Sequence, residues 1–246
     1  MASRRRAAVL KSPMSNPDSE IHRHSGWVVP GVLLLALALL CGAFLLYYLR
    51  PASFRDRNPA SAQAMTRLSV RGVGFAIPAN YVESRRRGGD MDVVPLFAAL
   101  PDLRGFSQAE AGLFLGNSAD SPIVHLLIRA DSNGLDAAAR LARIYQPYFV
   151  SANGETADFG LTRYGFRADS GYGRNDLFVG TGDSGMILML CERPAQDVPS
   201  PNCLAIDHPI APGVNLSWRF KRAQLAHWRQ IGDGANRLVG AFREKG

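Results

Sequence analysis

The longest apolar run, Trp27 to Tyr48, reads WVVPGVLLLALALLCGAFLLYY and carries no charge. As a helix rising about 1.5 Å per residue it is long enough to cross the roughly 30 Å hydrocarbon core of a bilayer. Trp27, Tyr47 and Tyr48 suit the two interfaces, Arg23 and Arg50 mark the polar edges, and Pro30 falls in the first turn, where its missing N–H costs little. A cleaved signal peptide has an apolar stretch of about 7–15 residues closely followed by a small-residue site. Here the stretch is longer, and Ala62-Gln63-Ala64 lies well beyond its end. Cys41 follows Leu40 rather than the small residue a lipidation site needs, so it reads as a small apolar residue of the span. Ala38 and Gly42 form one small-x-x-x-small pair, a weak signal for helix pairing.

The pattern then changes character. Residues 50–66, RPASFRDRNPASAQAMT, have no apolar periodicity and predict a linker. LSVRGVGFAIP predicts a strand interrupted near Gly72 and Gly74 and ended by Pro78. Met91 to Leu100 and Ile123 to Arg129 predict two more. Leu135, Ala138, Leu141, Ala142 and Tyr145 recur at helical spacing, which predicts a helix from about Leu135 to Gln146, with Asn133 able to cap it and Pro147 ending or kinking it. Five short apolar runs follow, Leu161 to Ala168, Asp176 to Thr181, Met186 to Cys191, Cys203 to Ile210 and Val214 to Phe220, a succession that predicts antiparallel pairing. An amphipathic helix carrying Leu225, Trp228, Ile231, Leu238 and Phe242 closes the chain, weakened in its middle by Gly232 and Gly234.

Together these elements predict an α+β fold: a mainly antiparallel sheet of about 6–8 strands, with two main helices packed on one face of it. The expected organisation is a basic cytoplasmic tail (1–26), a single transmembrane helix (27–49), a linker (50–66) and an extracytoplasmic domain (67–246).

Charge does little to redirect this picture. The formal net charge of +7 divides into +3 for residues 1–26, with five basic and two acidic residues, and +4 for the rest, with 23 basic and 19 acidic. So slight an excess over the domain is not a nucleic-acid footprint. Nearly all the basic residues are arginine, and Ala and Gly are abundant, which points to a GC-rich bacterial source. Arg4, Arg5, Arg6, Lys11 and Arg23 before the span slightly outweigh Arg50, Arg55, Arg57 and Arg67 after it, favouring an N-terminus inside.

Cysteines speak more directly to compartment. Cys191 ends one predicted strand and Cys203 begins the next, with ERPAQDVPSPN between them, so both thiols fall at the base of one Pro-rich loop. A disulfide there is expected, and disulfides persist outside the cytosol. A redox-active pair would want C-x-x-C spacing.

Gly182-Asp183-Ser184-Gly185 resembles the GDSG around the nucleophile of trypsin-like serine proteases, and Pro212-Gly213-Val214 with Trp228 faintly resembles their C-terminal stretch. The resemblance would make Ser184 a nucleophile. It is not matched by the family's T-A-A-H-C histidine context, Met186 replaces the second glycine of GDSGG, and His125 is the one soluble-region histidine ahead of Ser184. Asp and Ser between glycines also make an ordinary tight turn, and that is the expectation here.

Asp207-His208 is the most suggestive metal-ligand pair, but no spaced His/Cys set accompanies it, and no phosphate loop is present, so neither metal nor other cofactor is expected. Arg85-Arg86-Arg87 is a candidate contact for an anionic surface. Asn215-Leu216-Ser217 is a glycosylation sequon inside a predicted strand. The expectation is a non-enzymatic binding or assembly module of the bacterial inner membrane with its domain in the periplasm. Its contacts would be the bilayer, through Trp27 to Tyr48, and an envelope protein partner. The alternative is an anchored serine hydrolase using Ser184.

Overall fold

The computed structural model describes residues 27–48, 64–83, 88–131 and 134–244, and the chain divides into two units, Met1–Pro51 and Ala52–Gly246. In the first, α1 spans Val28–Tyr48. Within it Val28–Leu45 is long and apolar enough to cross a membrane by length and composition. A helix apolar on every side, as this one is, has no polar face to offer water.

The second unit opens with a hairpin, β1 (Met65–Val70) and β2 (Val73–Pro78), where the sequence predicts one interrupted strand. The difference lies in the turn: Arg71 and Gly72 both have positive φ, 53° and 79°, and Val70 pairs with Val73 across them. Two such residues give a turn whose twist matches that of the flanking strands. Leu68, Val70, Phe75 and Ile77 then point to one side and are buried.

The main sheet has eight strands: β3 (Val93–Ala99), β4 (Ile123–Ala130), β5 (Glu155–Ala157), β6 (Leu161–Gly165), β7 (Asn175–Gly182), β8 (Gly185–Glu192), β9 (Asn202–Ala211) and β10 (Val214–Lys221). Their order is β3-β4-β10-β9-β8-β7-β6-β5, and the pairings are antiparallel. A short helix, α2 (Ala111–Leu115), lies between β3 and β4 in the chain. After β4 a helical segment carries the chain to the far edge, from which a meander returns strand by strand until β10 closes against β4.

One face carries the main core. Phe178, Ile187, Met189, Cys191, Cys203, Ala205, Leu216 and Trp218 pack there with the β1–β2 hairpin and with α4 (Trp228–Phe242). Trp228, Ile231, Ala235, Val239 and Phe242 recur at helical spacing and are buried. The helix sits unusually close to the sheet. A Cβ on Gly180 of β7 would lie 2.5 Å from Cη2 of Trp228, and one on Gly232 would lie 2.7 Å from Cδ1 of Ile187. Glycine at 232 therefore serves packing, whatever it costs in helix propensity.

The helix predicted from Leu135 lies on the opposite face, which corrects the expectation that both helices share one. It begins as α3 (Ala137–Arg140), continues as a π-turn over Leu141–Tyr145 and ends in a 3-10 turn, Gln146–Tyr148. Asn133 lies outside the described residues; the cap is Asp136, whose carboxylate accepts the Ala139 N–H at 2.7 Å. Tyr145 and Phe149 pack with Phe166, Leu177 and Leu188, and Leu141 and Ile144 join them. Both faces need cover because β7 and β8 are apolar at successive positions, Leu177-Phe178-Val179 and Ile187-Leu188-Met189. On the same side as α3, near β3, a smaller cluster unites Phe97, Ala99, Phe106 and Ile123 with Phe114 of α2.

Candidate binding surface

The residues singled out in the sequence are dispersed. Cys191 and Cys203 face each other across β8 and β9, joined as a disulfide and buried in the main core. Arg85, Arg86 and Arg87 lie outside the described residues. Ser184 sits at the exposed tip of the β7–β8 hairpin, where Gly182 pairs with Gly185. That tip is tied down by its neighbour, since the Asp183 N–H donates to Oδ1 of Asp233 on α4 at 2.9 Å. His125 is not brought to Ser184; its Nδ1 meets a carboxylate oxygen of Glu83. Asn215, the sequon asparagine, is buried in β10.

Asp207 and His208 are turned to opposite faces. At that point β9 bulges: Leu216 pairs with His208 and Trp218 with Ala205, so Ile206 and Asp207 together oppose Ser217. Asp207 takes φ +49°, a conformation aspartate tolerates better than most residues. Its N–H donates to Ser217 Oγ at 3.0 Å, and that hydroxyl donates to Asp207 Oδ1 at 3.1 Å. His208 packs edge-on against Trp218 on the main-core side, where burial pulls its pKa below the usual 6.5 while the Asp233 charge opposes the shift. Among the described residues no three His, Cys, Asp or Glu side chains are grouped to hold a metal.

On the α3 side, the buried Asp207 carboxylate gathers two arginines. Nε of Arg129 from β4 lies 2.8 Å from Oδ1, and a terminal nitrogen of the same guanidinium donates to Oδ2 at 2.9 Å. Arg140 of α3, itself buried, brings a terminal nitrogen to 2.8 Å from Oδ2. One buried negative charge is thus held by two positive ones, and Arg140 pins the helix to the sheet. Nε of Arg140 and Nδ2 of Asn215, both buried, find no acceptor among the described residues. Burial, with the Tyr172 hydroxyl adding to it, raises the Tyr145 pKa to about 12, so this phenol stays neutral.

Strand register defines the surface next to this centre. Phe97 pairs with His125, His125 with Arg219, Arg219 with Leu204, Leu204 with Leu190 and Leu190 with Leu177. Paired residues share a face, so this row runs from the α2 cluster, which contains Phe97, to the α3 cluster, which contains Leu177. Between the two, His125, Arg219 and Leu204 are uncovered; in the next row Pro95 and Leu127 are half-buried. The result is a groove with a partly apolar floor between two helical ridges. Arg219 has no ion-pair partner among the described residues, and two positions on, Lys221 donates to the Ser200 carbonyl at 3.4 Å. Its pKa is lowered by burial and, secondarily, by Arg219, while the Glu192 charge opposes the shift.

A second buried aspartate, Asp176 of β7, is held by Arg193 and Arg222 at 2.9 and 3.0 Å, and the Arg222 guanidinium lies over the Phe178 ring. Next to it a polar cleft of about 870 Å³ is lined by Arg174, Glu192, Arg193 and Asp197 among others. Its charged groups are internally satisfied: Arg174 pairs with Asp197, and Glu192 accepts from the Asn202 N–H.

No family model matches the chain, and no curated protein does. Among solved structures the chain is similar in fold to an immunity protein of the Stenotrophomonas maltophilia type IV secretion system, with a TM-score of 0.56 at 14% identity over 75% of this chain and 95% of that one. The iron-regulated outer membrane lipoprotein FrpD of Neisseria meningitidis aligns over 76% of this chain and 97% of its own at 12% identity, but its TM-score of 0.45 adds nothing to the fold assignment. The chain is an α+β protein similar in fold to a bacterial secretion-system immunity protein.

Proposed function

We propose that this protein is a non-enzymatic binding module tethered to a bacterial inner membrane by α1, with its domain on the periplasmic side. The observation that carries the reading is the Cys191–Cys203 disulfide, buried at the centre of the main core. A domain stapled in its core belongs in a compartment where disulfides form and persist. The uncharged α1 supplies the tether, and use of the same fold in an immunity protein is in keeping with binding work. Ser184, exposed on a hairpin tip while His125 is engaged by Glu83, gives the hydrolase alternative no geometric support.

The test is a C-terminal alkaline phosphatase fusion to the full chain. High activity, together with a non-reduced tryptic fragment joining the Cys191 and Cys203 peptides, is the expected result. A stable but inactive fusion would place the domain in the cytoplasm and end the proposal.

A further inference from the structure

We propose that the groove between α2 and α3 docks an acidic, partly apolar segment of a protein partner, an inference that rests on the binding role above and names the surface and the chemistry of what it binds. Complementarity of charge is the first argument. Two arginines face the single Asp207 carboxylate, while Arg219 stands nearby, exposed and with no carboxylate paired to it among the described residues. Beside the groove, the Glu83 carboxylate is taken by His125. Such a surface attracts carboxylates and repels cationic segments.

The floor supplies the apolar component. Leu204 of β9 is 38% exposed and Val93 of β3 is 40% exposed, with Leu127 between the basic positions. Shape then selects among anionic occupants. A bilayer surface is broad and cannot descend between two helical ridges to reach Leu127 and Leu204, whereas an extended strand or a loop can. An acidic protein segment is therefore the occupant that satisfies both charge and shape.

The experiment places the photocrosslinking residue p-benzoylphenylalanine at Leu127 or Leu204 of the full-length chain in its own cells. The control position is Thr181, exposed on β7 next to the hairpin tip. The expected result is a protein adduct from 127 and 204, absent from 181, whose cross-linked peptide has net negative charge. Arg219→Glu should cut its yield about tenfold, the effect of juxtaposing like charges, and Arg219→Lys should restore it. Arg219 is exposed and carries no ion pair among the described residues, so the variants keep the fold; persistence of the Cys191–Cys203 bridge checks this. Equal adducts at all three positions, a neutral or basic partner peptide, an adduct indifferent to Arg219→Glu, or a phospholipid adduct on the residue-127 peptide would each overturn the proposal. No adduct at 127 and 204 from a chain whose phosphatase fusion is active would overturn the docking surface alone. An inactive fusion would overturn the compartment assignment instead.

Discussion

Asp207 shows how one residue can organise a surface. Its left-handed φ, the bulge and the Ser217 hydroxyl turn the carboxylate toward Arg129 and Arg140. Removing one member of a buried ion pair leaves uncompensated charge, which costs about 3–5 kcal/mol. Asp207→Ala is therefore expected to lower unfolding free energy by about that amount, measured by urea denaturation of the detergent-solubilised chain. A loss below about 1 kcal/mol, the scale of an exposed pair, would show that solvent already satisfies both guanidiniums. An aspartate inside the run LAIDHPI is conspicuous in the sequence, but strict alternation from Cys203 and Ala205 puts Asp207 on the main-core face and His208 opposite. The extra residue of the bulge reverses both placements. Sequence periodicity contains no sign of a bulge, so the Asp207 centre and the groove beside it were not legible.

At the level of elements, most strands were well marked because they alternate or run apolar between Gly, Pro and Asn turns; the short polar β5 was not, and β1 and β2 read as one strand. Which helix covers which face was not, since that depends on pairing order rather than on local pattern. Closeness of packing was equally hidden: Gly180 reads as a strand-weakening residue, yet it is the floor on which the Trp228 indole rests, with the indole N–H donating to the Phe159 carbonyl at 3.0 Å. A methyl group there meets ring carbons on one side and Leu161 Cδ2, at 2.7 Å, on the other. Gly180→Ala should destabilise the domain by about 1–3 kcal/mol through overpacking, seen as a lower midpoint in thermal unfolding followed by tryptophan fluorescence. An unchanged or higher midpoint would mean that α4 shifts freely on the sheet.

On the scale of the molecule, an apolar helix and a disulfide-closed domain were both legible, because length, composition and cysteine spacing are properties of the chain itself. The bridge closes a loop with a sequence separation of 12, and by chain-entropy reasoning it stabilises the domain by about 3 kcal/mol. The double substitution Cys191→Ala with Cys203→Ala should lose about that much in denaturant unfolding, while reductant should leave the double variant unaffected. Equal stability of the two proteins would count against the bridge as a structural staple. The two ends of the domain also meet: the Glu244 N–H donates to the Gly74 carbonyl at 3.0 Å, Arg243 bridges Phe75, and Tyr81 packs edge-on against Phe242. The first hairpin synthesised therefore waits for the last helix, and the long loop between them must close before either is secured. A nascent chain of this design completes the β1–β2 edge of its fold only after α4 has been made, and, on the periplasmic placement proposed above, that delay would keep the domain threadable while it crosses the membrane.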